Sequence, residues 1–143
     1  LKAAYAILRN GKIFLQSYSK ATTGLWIATG PVHVVGGDCE ADLSERIRGV
    51  LAGSEVDVPH PSQSEWKLIQ APMLQAVGVK SWATLGKGAK SVGLECESEL
   101  VRMVPTSDYW NKGGRALKDQ TIECELSSAE LGHKLVTAFE ACS

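Results

Sequence analysis

No apolar run in this chain approaches the ~20 residues needed to cross a bilayer, so no membrane-spanning helix and no membrane partner are expected. No run of Lys and Arg makes a basic stripe, and the formal net charge is -1. That balance argues against direct nucleic-acid binding, which calls for a basic face. The four cysteines, Cys39, Cys96, Cys124 and Cys142, include no CxxC pair and fit no zinc spacing. They are expected to be free thiols in a reducing, cytoplasmic setting, because disulfides persist where conditions oxidise. The three histidines, His33, His60 and His133, share no ligand spacing such as His-x-x-x-His. Neither a metal nor a cofactor is expected. Gly-x-Ser-x-Gly is absent, which removes a nucleophile elbow. Gly86-Lys87-Gly88-Ala89-Lys90 lacks the phosphate-loop pattern and reads as a helix stop followed by a tight connection. No leader is visible, and Leu1 in place of Met points to a trimmed chain.

What is present is one domain's worth of ordinary globular sequence: 143 residues, 44% hydrophobic and 22% charged. A chain of this length buries roughly two-thirds of its unfolded surface, enough for one core without staples. Residues 3–9 and 12–17 alternate as strands joined by Asn10-Gly11, the strongest short hairpin signal. Residues 24–29 and 32–35 read as a second strand pair turning at Gly30-Pro31, with a break at Gly36-Gly37. Residues 40–51 place Leu43, Ile47, Val50 and Leu51 on one helical face. Asp38 or Asp42 is the expected cap of that helix, and Gly53 its C′ glycine. Residues 56–63, with Pro59 and Pro61, read as a loop. Residues 64–70 and 72–77 read as two short helical turns, separated because Pro72 suits a helix start. Ser81 is the expected cap of a short helix through Trp82 and Leu85.

Residues 91–96, 99–104 and 121–126 alternate as strands, and residues 106–118 read as a polar loop. The last helix is expected from Ser127, with Ser127 and Glu130 as a capping box and Leu126 and Leu131 as a hydrophobic staple. Its apolar face would be Leu131, Leu135, Ala138, Phe139 and Cys142. The sum is an α+β domain over residues 1–143: a mainly antiparallel sheet with three to four helices packed against it.

Candidate functional residues are few. Cys39 lies just ahead of a helix N-terminus, which lowers a thiol pKa, so an enzyme using Cys39 with a histidine is one reading. The alternative is a cysteine that packs the helix end. Asp38, Glu40, Asp42 and Glu45 crowd the start of the same helix. Glu95, Glu97, Glu99, Glu123 and Glu125 stand opposite the apolar positions of their strands, either as a solvated face or, if the strands are neighbours, as an acidic surface. Trp26 and Trp66 fit apolar core positions, and Trp82 would anchor the helix capped by Ser81. Tyr109 and Trp110 sit together in the polar loop, as an interface anchor or as covering residues.

Several spaced fragments resemble the immunity-protein family of bacterial contact-dependent growth inhibition systems. They are Asn10-Gly11-Lys12-Ile13, Gly30-Pro31-Val32, Val58-Pro59-His60-Pro61, the distinctive Gly78-Val79-Lys80-Ser81-Trp82, and the terminal Glu130-Leu131-Gly132. The resemblance covers nearly the whole chain. It implies a non-catalytic cytoplasmic protein that binds and neutralises one cognate toxin domain, commonly a nuclease acting on tRNA or DNA. It carries no contact residues over, because the shared positions shape the backbone. From the residues themselves, the expected contacts are Asp38, Glu40, Asp42, Glu45, Tyr109 and Trp110. A regulatory binding module without a toxin partner is the remaining alternative.

Overall fold

The hairpin that opens the chain forms as its sequence dictates. Asn10 (φ 53°) and Gly11 (φ 75°) both take the left-handed conformation that a type I′ turn needs. They join β1 (Lys2–Arg9) to β2 (Lys12–Ala21) in antiparallel register from Arg9↔Lys12 to Ala3↔Tyr18. The structure is a computed structural model describing residues 1–36, 38–111 and 114–143; Gly37 of the expected Gly-Gly break, and Lys112 and Gly113 of the expected polar loop, lie outside the described residues.

The chain continues through β3 (Trp26–Gly36), α1 (Glu40–Ala52), β4 (Val56–Val58), α2 (Trp66–Val77), α3 (Trp82–Gly86), β5 (Lys90–Glu97), β6 (Leu100–Ser107), β7 (Arg115–Ala116), β8 (Ile122–Glu125) and α4 (Leu131–Ala141). One sheet holds the strands in the order β3-β2-β1-β5-β6-β7. The short β4 lies parallel to the end of β2, and β8 pairs with the first half of β6. The α+β architecture, mainly antiparallel with four α-helices among the described residues, is as expected.

Both faces of the sheet are packed, which is why Ala3 to Ile7 of the central strand β1 are all buried. Ala4 and Ala6 face α1 and α4, where Leu43, Ile47, Leu135 and Phe139 fill the space over two small residues. Tyr5 and Ile7 point the other way, with Phe14, toward Met73 of α2 and Leu85 of α3. The expected apolar faces of α1 and α4 are those that enter the first core.

Several boundaries differ from the sequence reading. Residues 26–36 form one strand, not a pair turning at Gly30-Pro31. The register between β2 and β3 slips between Leu15 and Ser17, and Gly30 (φ 76°) absorbs the extra residues as a bulge. Buried Gln16 stabilises it, donating from Nε2 to the Gly30 carbonyl at 3.0 Å while its Oε1 accepts from the Tyr5 hydroxyl at 2.6 Å. Pro31 is tolerated because β3 is an edge strand. The expected loop over residues 56–63 contains β4, and the polar loop after residue 106 contains the end of β6 and β7. Residues 66–77 form a single helix with Pro72 inside it. The carbonyl left without a donor there belongs to Leu68, a residue that is 73% exposed. Trp26 and Trp66, expected in the core, are only partly buried and join neither of the two core clusters.

The helix ends also depart from local expectation. Cys39 occupies the N-cap of α1, and neither Asp38 nor Asp42 caps it. Gly53 is not left-handed (φ -77°); it is required because a side chain there would meet the Ser17 hydroxyl at 2.8 Å. Ser81 does cap α3, accepting from the Thr84 N–H. Ser127 does not cap α4, which starts four residues later with Glu130 at its N-cap and no side-chain cap on its own chain segment. Two contacts explain the delay. Arg48 of α1 donates to the carbonyls of Leu126 (2.8 Å) and Ser128 (2.7 Å), pinning these residues in a turn. The orphan N–H of Gly132 is then satisfied by Ser44 Oγ of α1 at 2.7 Å. A serine 88 positions away in sequence does the capping.

Candidate functional site

The acids at the start of α1 are largely engaged within the protein. Glu40 Oε2 lies 2.6 Å from His133 Nδ1, tying the start of α1 to α4. Asp42 pairs with Arg46 at 3.7 Å. Asp38 accepts from the Cys39 thiol at 3.6 Å. Glu45 has no ion pair among the described residues; with Asp42, Arg46 and His33 it borders a cleft of about 250 Å³ between α1 and β3.

Cys39 itself departs from expectation. The charge of Asp38, then its hydrogen bond, push the thiol pKa up, with a smaller push from Asp42. A nearby anion disfavours the thiolate, and here it overrides the helix end. All four thiols are free, and Cys39 is the exposed one. Native chain is therefore expected to be alkylated by iodoacetamide at Cys39 alone, and more slowly than free cysteine at neutral pH. Asp38→Asn should shift the pH–rate profile down and speed the reaction. A profile below that of free cysteine in the native chain would reverse this assignment.

Tyr109 and Trp110, adjacent in sequence, part company in the structure. Tyr109 packs into the second core with Tyr18, and burial pushes its phenol pKa far up. Trp110 is 65% exposed, its backbone lying over Gly86 at the end of α3. Because α1 covers the first face of the sheet and Tyr109 packs against the second, the α1 acids and the two aromatics are not brought together.

The strand acids are brought together. Glu95 is directly opposite Arg102, and Arg102 is directly opposite Glu123. Glu97, Leu100 and Glu125 form the next row. Directly opposed residues of antiparallel strands share a face, so these four carboxylates are co-facial. Glu99 is the exception: it sits in the turn after Ser98 (φ 56°). The register Ala3↔Glu95 and Tyr5↔Gly93 places the rows on the second face, beyond the area that α2 and α3 cover.

This uncovered half of the face is concave. A hollow of about 180 Å³ reaches Tyr18 and Trp26 at one end. A second, of about 470 Å³, reaches Val104, Thr106 and Lys118 at the other. Gly93 and Glu95 line both, so the hollows form one groove with a side-chain-free floor at Gly93. Arg102 Nε lies 3.3 Å from Glu123 Oε2, while Glu95 has no ion pair among the described residues. Aromatic walls beside a free carboxylate suit a cation. Among the described residues, no three His, Cys, Asp or Glu side chains converge to hold a metal.

Sequence reasoning identified the strand acids but neither Gly93 nor the Tyr18–Trp26 rim. The alternation of Glu with apolar residues marked a solvated face. That β8 returns to pair with β6, making one face of these acids, is a long-range event with no local signal.

The profile of the CdiI family, described as CDI immunity protein, matches residues 2–142. A protein of unknown function from Neisseria meningitidis has a similar structure, with a TM-score of 0.81 at 17% identity over 99% of this chain and 95% of that one. A CdiA-CT/CdiI toxin and immunity complex from Yersinia pseudotuberculosis contains a chain with a TM-score of 0.79 at 20% identity, over 99% of this chain and 97% of that one. At these identities the structural likeness establishes the fold. No curated protein matches the sequence.

Proposed function

The chain belongs to the CDI immunity protein family, whose profile covers residues 2–142, and from that premise we propose that it binds and neutralises one cognate toxin domain, a nuclease, in the cytoplasm without catalysing any reaction itself. The family membership carries the toxin-neutralising part of the reading, and one of the similar solved structures is a CdiA-CT/CdiI toxin and immunity complex. The nuclease part rests on charge. A nuclease presents positive charge to phosphates, because backbone contacts dominate nucleic-acid affinity. An inhibitor that covers such a groove gains association rate from local negative charge. The open sheet face brings together Glu95, Glu97, Glu123 and Glu125; Glu123 pairs with Arg102 and Glu97 with the N-terminal ammonium, which leaves Glu95 and Glu125 without an ion pair among the described residues. The raised pKa of exposed Cys39 disfavours the enzyme alternative.

The test is to purify the chain with the toxin domain encoded beside it and to follow cleavage of tRNA and of plasmid DNA. One equivalent of chain should abolish cleavage, with no added metal required for complex formation. A toxin domain that cleaves neither substrate would sink the nuclease reading. Undiminished cleavage by the intact complex would sink neutralisation by occlusion.

A further inference from the structure

We infer that the groove on the open sheet face seats an arginine or lysine side chain from an exposed segment of the toxin domain, held between the Trp26 and Tyr18 end of the groove and the Glu95 carboxylate. The inference rests on the proposed toxin partner and deepens it by assigning a contact point and its chemistry. Three observations combine. The groove is built: Gly93 leaves its floor bare, and the two hollows meet there. One of its charges is unengaged: of the four carboxylates on the face, Glu123 holds Arg102 and Glu97 lies 3.5 Å from the N-terminal ammonium, while Lys20, opposite Trp26, and Lys118 stand toward the two ends. Glu95 stands at the junction of the hollows with no ion pair among the described residues. A cation beside Glu95 meets a charge-assisted acceptor on one side and aromatic surface on the other, while its aliphatic stem covers the apolar floor. A neutral or acidic segment would leave Glu95 desolvated and unpaired.

The α1 acids offer a competing surface and provide the internal comparison. Binding of the cognate toxin domain is measured by titration calorimetry for the wild-type chain, Glu95→Gln, Gly93→Val and Glu45→Gln. Glu95→Gln keeps the size of the side chain and removes its charge. Gly93→Val fills the groove floor; the nearest atom to its new Cβ is the Val104 carbonyl oxygen at 4.0 Å, an ordinary contact. Each of these two should weaken binding by about tenfold or more, the scale of one charge-assisted contact. Glu45→Gln should stay within about threefold of wild type, ordinary surface variation. Wild-type affinity should also fall with added salt more steeply than that of Glu95→Gln. If Gly93→Val fails to melt cooperatively, Glu95→Gln and the salt series decide alone. Wild-type binding retained within about threefold by Glu95→Gln overturns the groove assignment while leaving toxin binding intact. A wild-type chain that binds no cognate toxin overturns the functional reading, and this contact with it.

Discussion

Gly132→Ala is expected to destabilise the fold by about 1–3 kcal/mol, although alanine is the better helix former by roughly 1 kcal/mol. Gly132 lies in the first turn of α4, where α4 crosses the start of α1. A methyl group there would collide with the Glu40 carbonyl oxygen and crowd Ser44 Oγ at 3.0 Å. The first obstacle is backbone, so it yields only if one helix moves, and the overpacking cost outweighs the gain in propensity. The same junction makes Ser44→Ala costly by about 1–3 kcal/mol, because the buried Gly132 N–H loses its only acceptor among the described residues. Ser127→Ala, at the cap position the local sequence advertises, should stay within about 0.5 kcal/mol of wild type. Urea titrations of the three variants at unchanged m-value check the order. The double variant Ser44→Ala, Gly132→Ala should cost less than the sum of the singles, since both act on one contact. A stable Gly132→Ala with a labile Ser127→Ala would restore the local cap.

Met73→Ala is expected to cost about 2–5 kcal/mol, the largest single-residue loss predicted for this chain. Met73 is the one buried residue of α2 and is fully inaccessible between that helix and the second face of the sheet. Its neighbour Pro72 removes a backbone donor, so α2 cannot be held by its own hydrogen bonds alone. Tertiary burial through Met73 compensates, helped by the left-handed Gly78 (φ 85°), whose N–H closes the helix on the Leu74 carbonyl at 2.9 Å. Leu68→Ala removes an equally apolar side chain from the exposed side of α2 and should change stability by less than about 0.5 kcal/mol. Equal losses for the two variants would mean that α2 is buried on a different side.

The contrast between these sites separates what the sequence determined from what the fold decided. Local chemistry was legible wherever one short segment fixed the outcome. Asn10-Gly11 forced a type I′ hairpin; Leu43, Ile47 and Leu51 set the buried face of α1; Ser81 capped α3 through the Thr84 N–H. Alternation along β5, β6 and β8 told which residues face water, because side chains of a strand point to opposite faces in turn. The α+β class followed from those periods. The tertiary structure decided whatever depends on which segment arrives opposite another. Gly30-Pro31 carries a turn signature, yet the edge position of β3 and the buried Gln16 made it a bulge. Ser127 and Glu130 spell a capping box, yet Arg48 and Ser44, both far away in sequence, moved the helix start. Strand acids scattered over 31 positions, from Glu95 to Glu125, became one face only through the pairing of β8 with β6. Of the helix-start acids, close together in sequence and so easily noticed, Glu40 and Asp42 were instead drawn into pairs with His133 and Arg46. Local propensity acts over a few residues, whereas a partner for a buried N–H or an exposed carboxylate is set by packing, which the local pattern does not encode.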